Sequence, residues 1–372
     1  METIRMSQNH AAVRLVDASD TLPRNSERWR PIRVPAQVIE AEIERLSRIP
    51  APQNGRRSAL IVHPESKEVS GISQGVQIAI NVLLPGERTQ GFRYNASQVE
   101  LCIRGRGTVH VENQSMTMEP YDVTMVPSMR HHWYSNDGDT AWVRLSYSNA
   151  PLLQRLGVLY VEEGEASSSA LSEDPPASAV YTSNSAPDIA VSPDGARLRG
   201  YEFLTDIPVV ENRALCWPWT SVSATLSSEP GDGKRTIMLL YNPATERRNG
   251  TTHSFFATMS RVPPGSPPRR AGRGHRHSSV AINYHFQGSG SSQVDGETIA
   301  WEAGDLLLSA PGWSEHAHFV SPEGASVLTI QDHPLHIGME SLIWQERIDG
   351  PILTLGSQPG QKGYVGPRLA GA

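Results

Sequence analysis

Short apolar runs punctuated by turn residues dominate this chain, and one helical stretch stands out among them. From Ala36 to Arg48, Val38, Ile39, Ile43 and Leu46 recur at near-helical spacing, which predicts a short amphipathic helix. Ser58 to Val62, Val76 to Leu84 and Val143 to Tyr147 read as strands, and Leu152 to Tyr160 as a helix and strand closing a domain. Gly164 to Gly200 is rich in Ser, Pro, Ala and Asp with little periodicity, the pattern of a linker or surface loop. Strands resume at Ile237 to Tyr241 and Ser254 to Val262. Gly304-Asp305 and Pro311-Gly312 bracket the apolar strand Leu306-Leu307-Leu308, and Val327 to Ile330 suggests the last long strand.

An internal repeat organises these elements. Pro85-Gly86, Phe92-Arg93-Tyr94, Gly105-x-Gly107, Pro127 and His132 run parallel to Pro264-Gly265, His275-Arg276-His277, Gly288-x-Gly290, Pro311 and His316. Phe92 and Gly107 are 15 positions apart, as are His275 and Gly290; Pro127 precedes His132 by 5, as Pro311 precedes His316. Two barrels of common ancestry follow, with the chain divided into 1–160 (an N-terminal arm and barrel), a 161–213 linker and a 214–372 barrel. Gly288 and Gly290 are expected to mark a sharp turn between strands.

The copies differ in their chemistry. Residues i and i+2 of a strand share a face, so the imidazoles of His275 and His277 point the same way. His316 from a neighbouring strand would complete a facial triad with one side of the metal open, the mark of a reactive site. Three unrelated histidines are the bland alternative; the surrounding glycines and proline argue against it. The order resembles the two motifs of the cupin superfamily. The glutamate that many cupins place after the second histidine is absent, with Ala281 and Ile282 there instead, so three histidines form the whole ligand set. In the first copy Phe92 and Tyr94 replace the paired histidines, which predicts a barrel without metal and His131-His132 as a hydrogen-bonded pair.

Composition narrows the field. The 372 residues suffice for two cores, and 31 Gly with 28 Pro suit short strands joined by tight turns. The net charge of −6 and the lack of a Lys/Arg stripe make nucleic acid an unexpected partner. No early apolar run resembles a signal peptide or a membrane span, and Cys102 and Cys216 are too isolated for a disulfide framework. A soluble, cytoplasmic protein is expected.

Leu84-Pro85-Gly86-Glu87, Asn136-Asp137-Gly138-Asp139, Trp217-Pro218-Trp219, Tyr241-Asn242-Pro243-Ala244-Thr245 and Trp313 with Glu315-His316-Ala317-His318 extend the likeness. From about Trp29 to Arg347 the chain resembles the bicupin ring-cleaving dioxygenases: gentisate 1,2-dioxygenase and its salicylate and 1-hydroxy-2-naphthoate relatives. The resemblance implies a mainly β bicupin of two double-stranded β-helix (jelly-roll) barrels with a few short helices. It also implies Fe(II), one per subunit in the C-terminal barrel, O₂, a small hydroxylated aromatic acid, and a homotetramer or homodimer. Relatives often carry the working iron in the N-terminal barrel and an arginine a few residues beyond their His-x-His. Here that position is Glu100 in the first barrel and Asn283 in the second, so gentisate and salicylate are in question as substrates.

Around the triad, an unbulged strand would place Asn283 and His285 on the inward face, whereas a bulge near Ser278-Ser279 would send Tyr284 inward. Arg269, Arg270 and Arg273 are candidates to receive an anionic substrate, with a solvated loop as the alternative. Trp313 and His318 are candidates for the surroundings of the metal or the rim. A different metal-dependent cupin enzyme (lyase, isomerase or hydrolase) and a small-molecule-binding bicupin without turnover remain as other classes. Oxygen dependence separates the first from a dioxygenase.

Overall fold

The computed structural model describes residues 17–19, 22–25, 27–67, 71–164, 188–199, 212–226, 236–267 and 274–358. The expected helix spans Ala36–Arg48, with Ile39, Ile43 and Leu46 buried. Val38, included in the apolar stripe above, is instead 55% exposed. The buried residues follow a spacing of four and three, and Val38 lies one position outside that stripe.

In the first half, a six-stranded antiparallel sheet runs Leu215–Trp217, Val123–Val126, Gln98–Arg104, Trp142–Ser148, Gln77–Leu83, Arg57–Ile61. A five-stranded sheet (Val161–Glu163, Phe92–Tyr94, His132–Ser135, Gly107–Val111, Gln114–Met118) packs against it. Leu83, Cys102, Val126 and Trp142 from the first sheet meet Val109, Val111, Met118 and Tyr134 from the second in one buried cluster. In the second half, the order is Ile32–Val34, Leu306–Pro311, Val280–Val294, His316–Gln331, Phe256–Val262, Thr236–Leu239, with Glu297–Glu302 also on Val280–Val294. Two jelly-roll barrels in series result.

The expected turn at Gly288 and Gly290 is a bend inside a continuous strand. Val280–Val294 runs through both glycines, and its pairing with His316–Gln331 slips at His285/Gln287 and again at Gly288/Gly290. Gly288 has φ +80°, and a Cβ there would stand 1.9 Å from the Gly324 carbonyl oxygen. Bulges bend a strand around a barrel corner without ending it, which a sequence pattern cannot distinguish from a turn.

The halves exchange arms. Ile32–Val34, N-terminal to the first barrel, pairs with Leu306–Pro311 of the second, and Leu215–Trp217, N-terminal to the second, pairs with Val123–Val126 of the first. Each arm strand runs through a proline into a helix: Pro35 into Ala36–Arg48, Pro218 into Trp219–Thr225. Neither helix has a side-chain cap of its own. Instead Asp305 accepts the Ala36 N–H at 2.8 Å and Asp122 accepts the Trp219 N–H at 2.7 Å. The second oxygen of each carboxylate binds its own turn, at Glu302 N and Glu119 N. A carboxylate at a helix N-terminus meets both the open N–H groups and the positive end of the dipole. A shared core that includes Ile80, Leu101, Ile282, Tyr284 and Leu328 joins the two barrels.

Within the stretch read as a linker, Asp188–Ala190 and Arg197–Arg199 form a hairpin. Among the described residues no helix is long and apolar enough to cross a membrane.

Candidate metal centre

His275, His277 and His316 converge. Each offers a ring nitrogen, and these atoms lie within 4.8 Å of one another. His275 and His316 form an isolated antiparallel bridge, with N–H to carbonyl distances of 3.2 and 2.9 Å in the two directions. Gly274 permits it, since a Cβ at that position would lie 2.2 Å from the His316 carbonyl oxygen. His277 sits in the two-residue strand Arg276–His277, held by Ile343–Gln345. Between the two imidazoles Arg276 leaves on the opposite face, donating to Gln345 Oε1 at 2.7 Å.

The rings are set for ligation. His277 Nδ1 lies 2.9 Å from the Ser279 carbonyl oxygen, and His316 Nδ1 lies 3.0 Å from the Ser314 carbonyl oxygen. A carbonyl only accepts, so each Nδ1 carries the proton and each Nε2 presents a lone pair. Burial, followed by the neighbouring His316, His333 and His275, holds the His277 pKa well below its ordinary value, so little proton competes with a metal ion. Gln331 brings its amide nitrogen to 3.3 Å from His277 Nε2. This donor set fits a divalent metal that accepts imidazole: three neutral nitrogens from two strands and a bridge, without a carboxylate.

The remaining candidates separate. Asn283 and His285 face inward. Asn283 pairs across the ladder with Thr329 as Ala281 does with Gln331, placing all four on the face that meets His277. Tyr284 points to the shared core instead. The Asn283 amide is engaged at both ends, donating to Ser309 Oγ at 2.9 Å and accepting from Thr329 Oγ1 at 2.9 Å. His285 stacks on Trp301 at 3.9 Å, and burial pushes its pKa down to about 3. His318 Nδ1 lies 2.7 Å from Ser292 Oγ, which also accepts the Trp301 indole N–H at 3.1 Å; the His318 ring is 5.8 Å from His316. Trp313 lies under the Arg276 guanidinium at 4.5 Å, beyond the face that carries the triad. Arg269, Arg270 and Arg273 fall outside the described residues.

Three neighbours escaped the sequence reading. Trp344 stacks on His275 at 4.8 Å and on His277 at 5.1 Å. His333 shares Ser279 Oγ with His277, its Nδ1 at 2.8 Å from the hydroxyl. Gln331 is one residue past the predicted end of its strand, and inward alternation from Thr329 would have found it. Nothing local marks Trp344 or His333.

In the first barrel, Phe92, Tyr94 and His132 occupy the corresponding places, with Phe92 4.1 Å and Tyr94 6.2 Å from the His132 ring. His132 Nδ1 still meets the carbonyl two residues upstream, Arg130 O, at 2.8 Å. His131 and His132, expected as a hydrogen-bonded pair, bond to separate backbone carbonyls, with His131 Nε2 2.7 Å from Gly164 O. Among the described residues His275, His277 and His316 are the group assembled for a metal.

No family model matches the chain. It is 23% identical to a 5-aminosalicylate 1,2-dioxygenase of Comamonas sp., over 76% of this chain and 73% of that protein. It is 26% identical to a 1-hydroxy-2-naphthoate 1,2-dioxygenase of Nocardioides sp. (strain KP7), over 83% and 75%. The crystal structure of a salicylate 1,2-dioxygenase from Pseudaminobacter salicylatoxidans superposes with TM-score 0.66 at 15% identity, covering 89% of this chain and 91% of that one. The architecture is therefore that of the salicylate dioxygenase fold.

Proposed function

We propose that this relative of the bicupin ring-cleaving dioxygenases is an Fe(II)-dependent extradiol-type dioxygenase. It opens the ring of a hydroxylated aromatic acid or related phenolic compound with O₂. One metal per subunit is held by His275, His277 and His316 in the C-terminal barrel. The observation that carries the reading is the imidazole triad, with the Nδ1 groups of His277 and His316 tied to carbonyls, in a chain whose relatives are aromatic 1,2-dioxygenases. The division into 1–160, 161–213 and 214–372, a homodimer or homotetramer, and a cytoplasmic location belong to the same proposal.

Bound there, Fe(II) supplies Lewis acidity toward the substrate hydroxyl and a path for electrons from the ring to O₂. The chain does the rest. The carbonyls of Ser279 and Ser314 fix two ring orientations, so the ligands require no reorganisation on binding. Gln331, whose amide nitrogen lies 3.3 Å from His277 Nε2, offers a neutral donor and acceptor to a substrate hydroxyl. Trp344 covers two of the three ligands and keeps water off that side. Asn283 spends its amide on Ser309 and Thr329, so it holds the barrel wall and does not take the place of a carboxylate-binding arginine. An acidic substrate must therefore chelate the metal through its carboxylate or meet Arg269, Arg270 or Arg273.

The test is oxygen uptake by the Fe(II)-loaded protein against hydroxylated benzoic and naphthoic acids, their amino and nitro relatives and their neutral amides. Oxygen consumption matched by loss of aromatic absorbance is expected. Turnover that continues without O₂ would replace this reading with Lewis-acid chemistry on the same triad. Single alanine variants of the three arginines should weaken the acid over its amide by about one to two decades if one of them receives the carboxylate. Efficient gentisate cleavage with all three variants unaffected would remove that role.

A further inference from the structure

We propose that the first barrel, where Phe92 and Tyr94 stand in place of ligands, is a metal-free binding site for an uncharged one-ring phenol. A cavity of about 190 Å³ lies inside it, lined by the rings of Phe92, Tyr94 and Tyr134 and by Gln98, Glu100 and Arg144, which touch one another. An apolar cavity of about 150 Å³ accepts benzene, so a benzene ring with one hydroxyl is of suitable size. The lining extends to Ser58 and Leu60, both exposed, which marks the way in.

The polar part of the lining is organised and neutral. Glu100 is fully buried and takes four hydrogen bonds, from Gln98 Nε2, Tyr134 Oη at 3.0 Å, Arg144 Nη1 at 2.6 Å and Ser146 Oγ at 2.7 Å. The Arg144 guanidinium lies 3.6 Å over the Tyr134 ring. Replacing a buried ion pair with packed apolar side chains is often neutral or stabilising, so this one is poorly explained as a core filler. Its charges cancel and the carboxylate is saturated, so neither an anion nor a cation gains by entering. Arg56 and Arg57, also on the lining, pair with Glu163 and Glu87.

The buried atoms of this barrel without a hydrogen-bond partner among the described residues include Arg144 Nε, on the cavity lining, and His132 Nε2, whose ring lies outside that lining. The first is a donor. The second is an acceptor, because the Arg130 carbonyl fixes the proton on Nδ1 and burial lowers the pKa to about 3. His132 packs against Phe92, Tyr94 and Tyr134, three rings that line the cavity. The hydroxyl of a phenol can accept from Arg144 Nε, and a flat ring fits among the aromatic side chains of the lining; a carboxylate would bring a second negative charge up to Glu100.

The experiment uses the full-length His275→Ala/His277→Ala protein, so that binding at the proposed metal centre cannot contribute. Calorimetry with phenol should show one site per chain, with benzoate at least tenfold weaker. Ala79→Leu places a branched side chain on the cavity lining and should weaken phenol tenfold or more. No phenol binding, equal binding of benzoate, or indifference to a folded Ala79→Leu protein would overturn the proposal. Should that variant fail to fold, crystals soaked in 4-bromophenol decide: anomalous bromine density beside Phe92, Tyr94 and Tyr134 supports the site, and its absence there refutes it. Loss of oxygen uptake by the native enzyme would bear on the second barrel alone.

Discussion

His277 and Trp344 are direct cross-strand partners, and the indole lies nearly parallel to the imidazole, 5.1 Å away and inclined by 24°. The same indole covers His275 at 4.8 Å. One side chain from the strand Ile343–Gln345 thus clamps two proposed ligands. Trp344→Ala should leave the triad present but loose, lowering metal affinity by about 10–100-fold. Competition against a graded series of chelators reads this directly; affinity equal to that of the native protein would show that the indole merely fills space.

Elemental analysis should find one metal per chain. His275→Ala, His277→Ala and His316→Ala should each lose it and with it turnover, while the fold persists on its apolar core. His132→Ala should keep both the metal and substantial activity, since Phe92 and Tyr94 give that histidine no co-ligands. Two metals per chain, or anomalous density beside Tyr94, would contradict the assignment.

Stability should fall in mild acid. His132 and His285 have folded pKa values of about 3 because burial penalises their charged forms, against 6.5 for an ordinary histidine. Below pH 6.5 the unfolded chain takes up a proton at each, and the folded chain does so only near pH 3. Their stabilisation is therefore complete above 6.5 and is lost as the pH drops through that window, at about 1.4 kcal/mol per pH unit for each histidine. At pH 5 the share of His132 is about 2 kcal/mol. Urea midpoints of the native protein and His132→Phe should converge from pH 7 to 5; parallel lines would mean that His132 is not held neutral.

Gly288→Ala should destabilise by about 3 kcal/mol or more, because the left-handed φ comes with the Gly324 carbonyl oxygen 1.9 Å from the new Cβ. Gly296→Ala is the comparison: φ is +88°, with nothing within 4 Å, so only the backbone penalty of about 1 kcal/mol applies. Equal melting shifts for the two variants would show that the strand relaxes at the bend.

The parts of this protein that repeat or alternate were legible in its sequence. Helix Ala36–Arg48 followed from apolar spacing, and the His-x-His and the duplicated turn residues placed the triad and the two barrels. Contacts made across strands were not legible. Trp344 reaches His277 through a pairing between segments 67 residues apart, and His333 reaches it through the Ser279 hydroxyl, so neither leaves a local pattern. The bend at Gly288 misled for a related reason: a bulge and a turn use the same residues, and only pairing partners distinguish them.

The exchanged arms bear on how this chain evolved. Asp305 is fully buried and spends its oxygens partly on the arm that precedes the first barrel, at Ala36 N and Arg33 Nε. Deleting the N-terminal half would strip the second barrel of an edge strand and leave that carboxylate short of donors, and deleting the C-terminal half would do the same to Asp122. Selection could therefore release the first barrel from its ancestral chemistry without releasing it from the gene. A half that cannot be discarded can still carry a different interior, and in the first barrel Phe92, Tyr94 and Glu100 stand where the repeat places His275, His277 and Asn283 in the second.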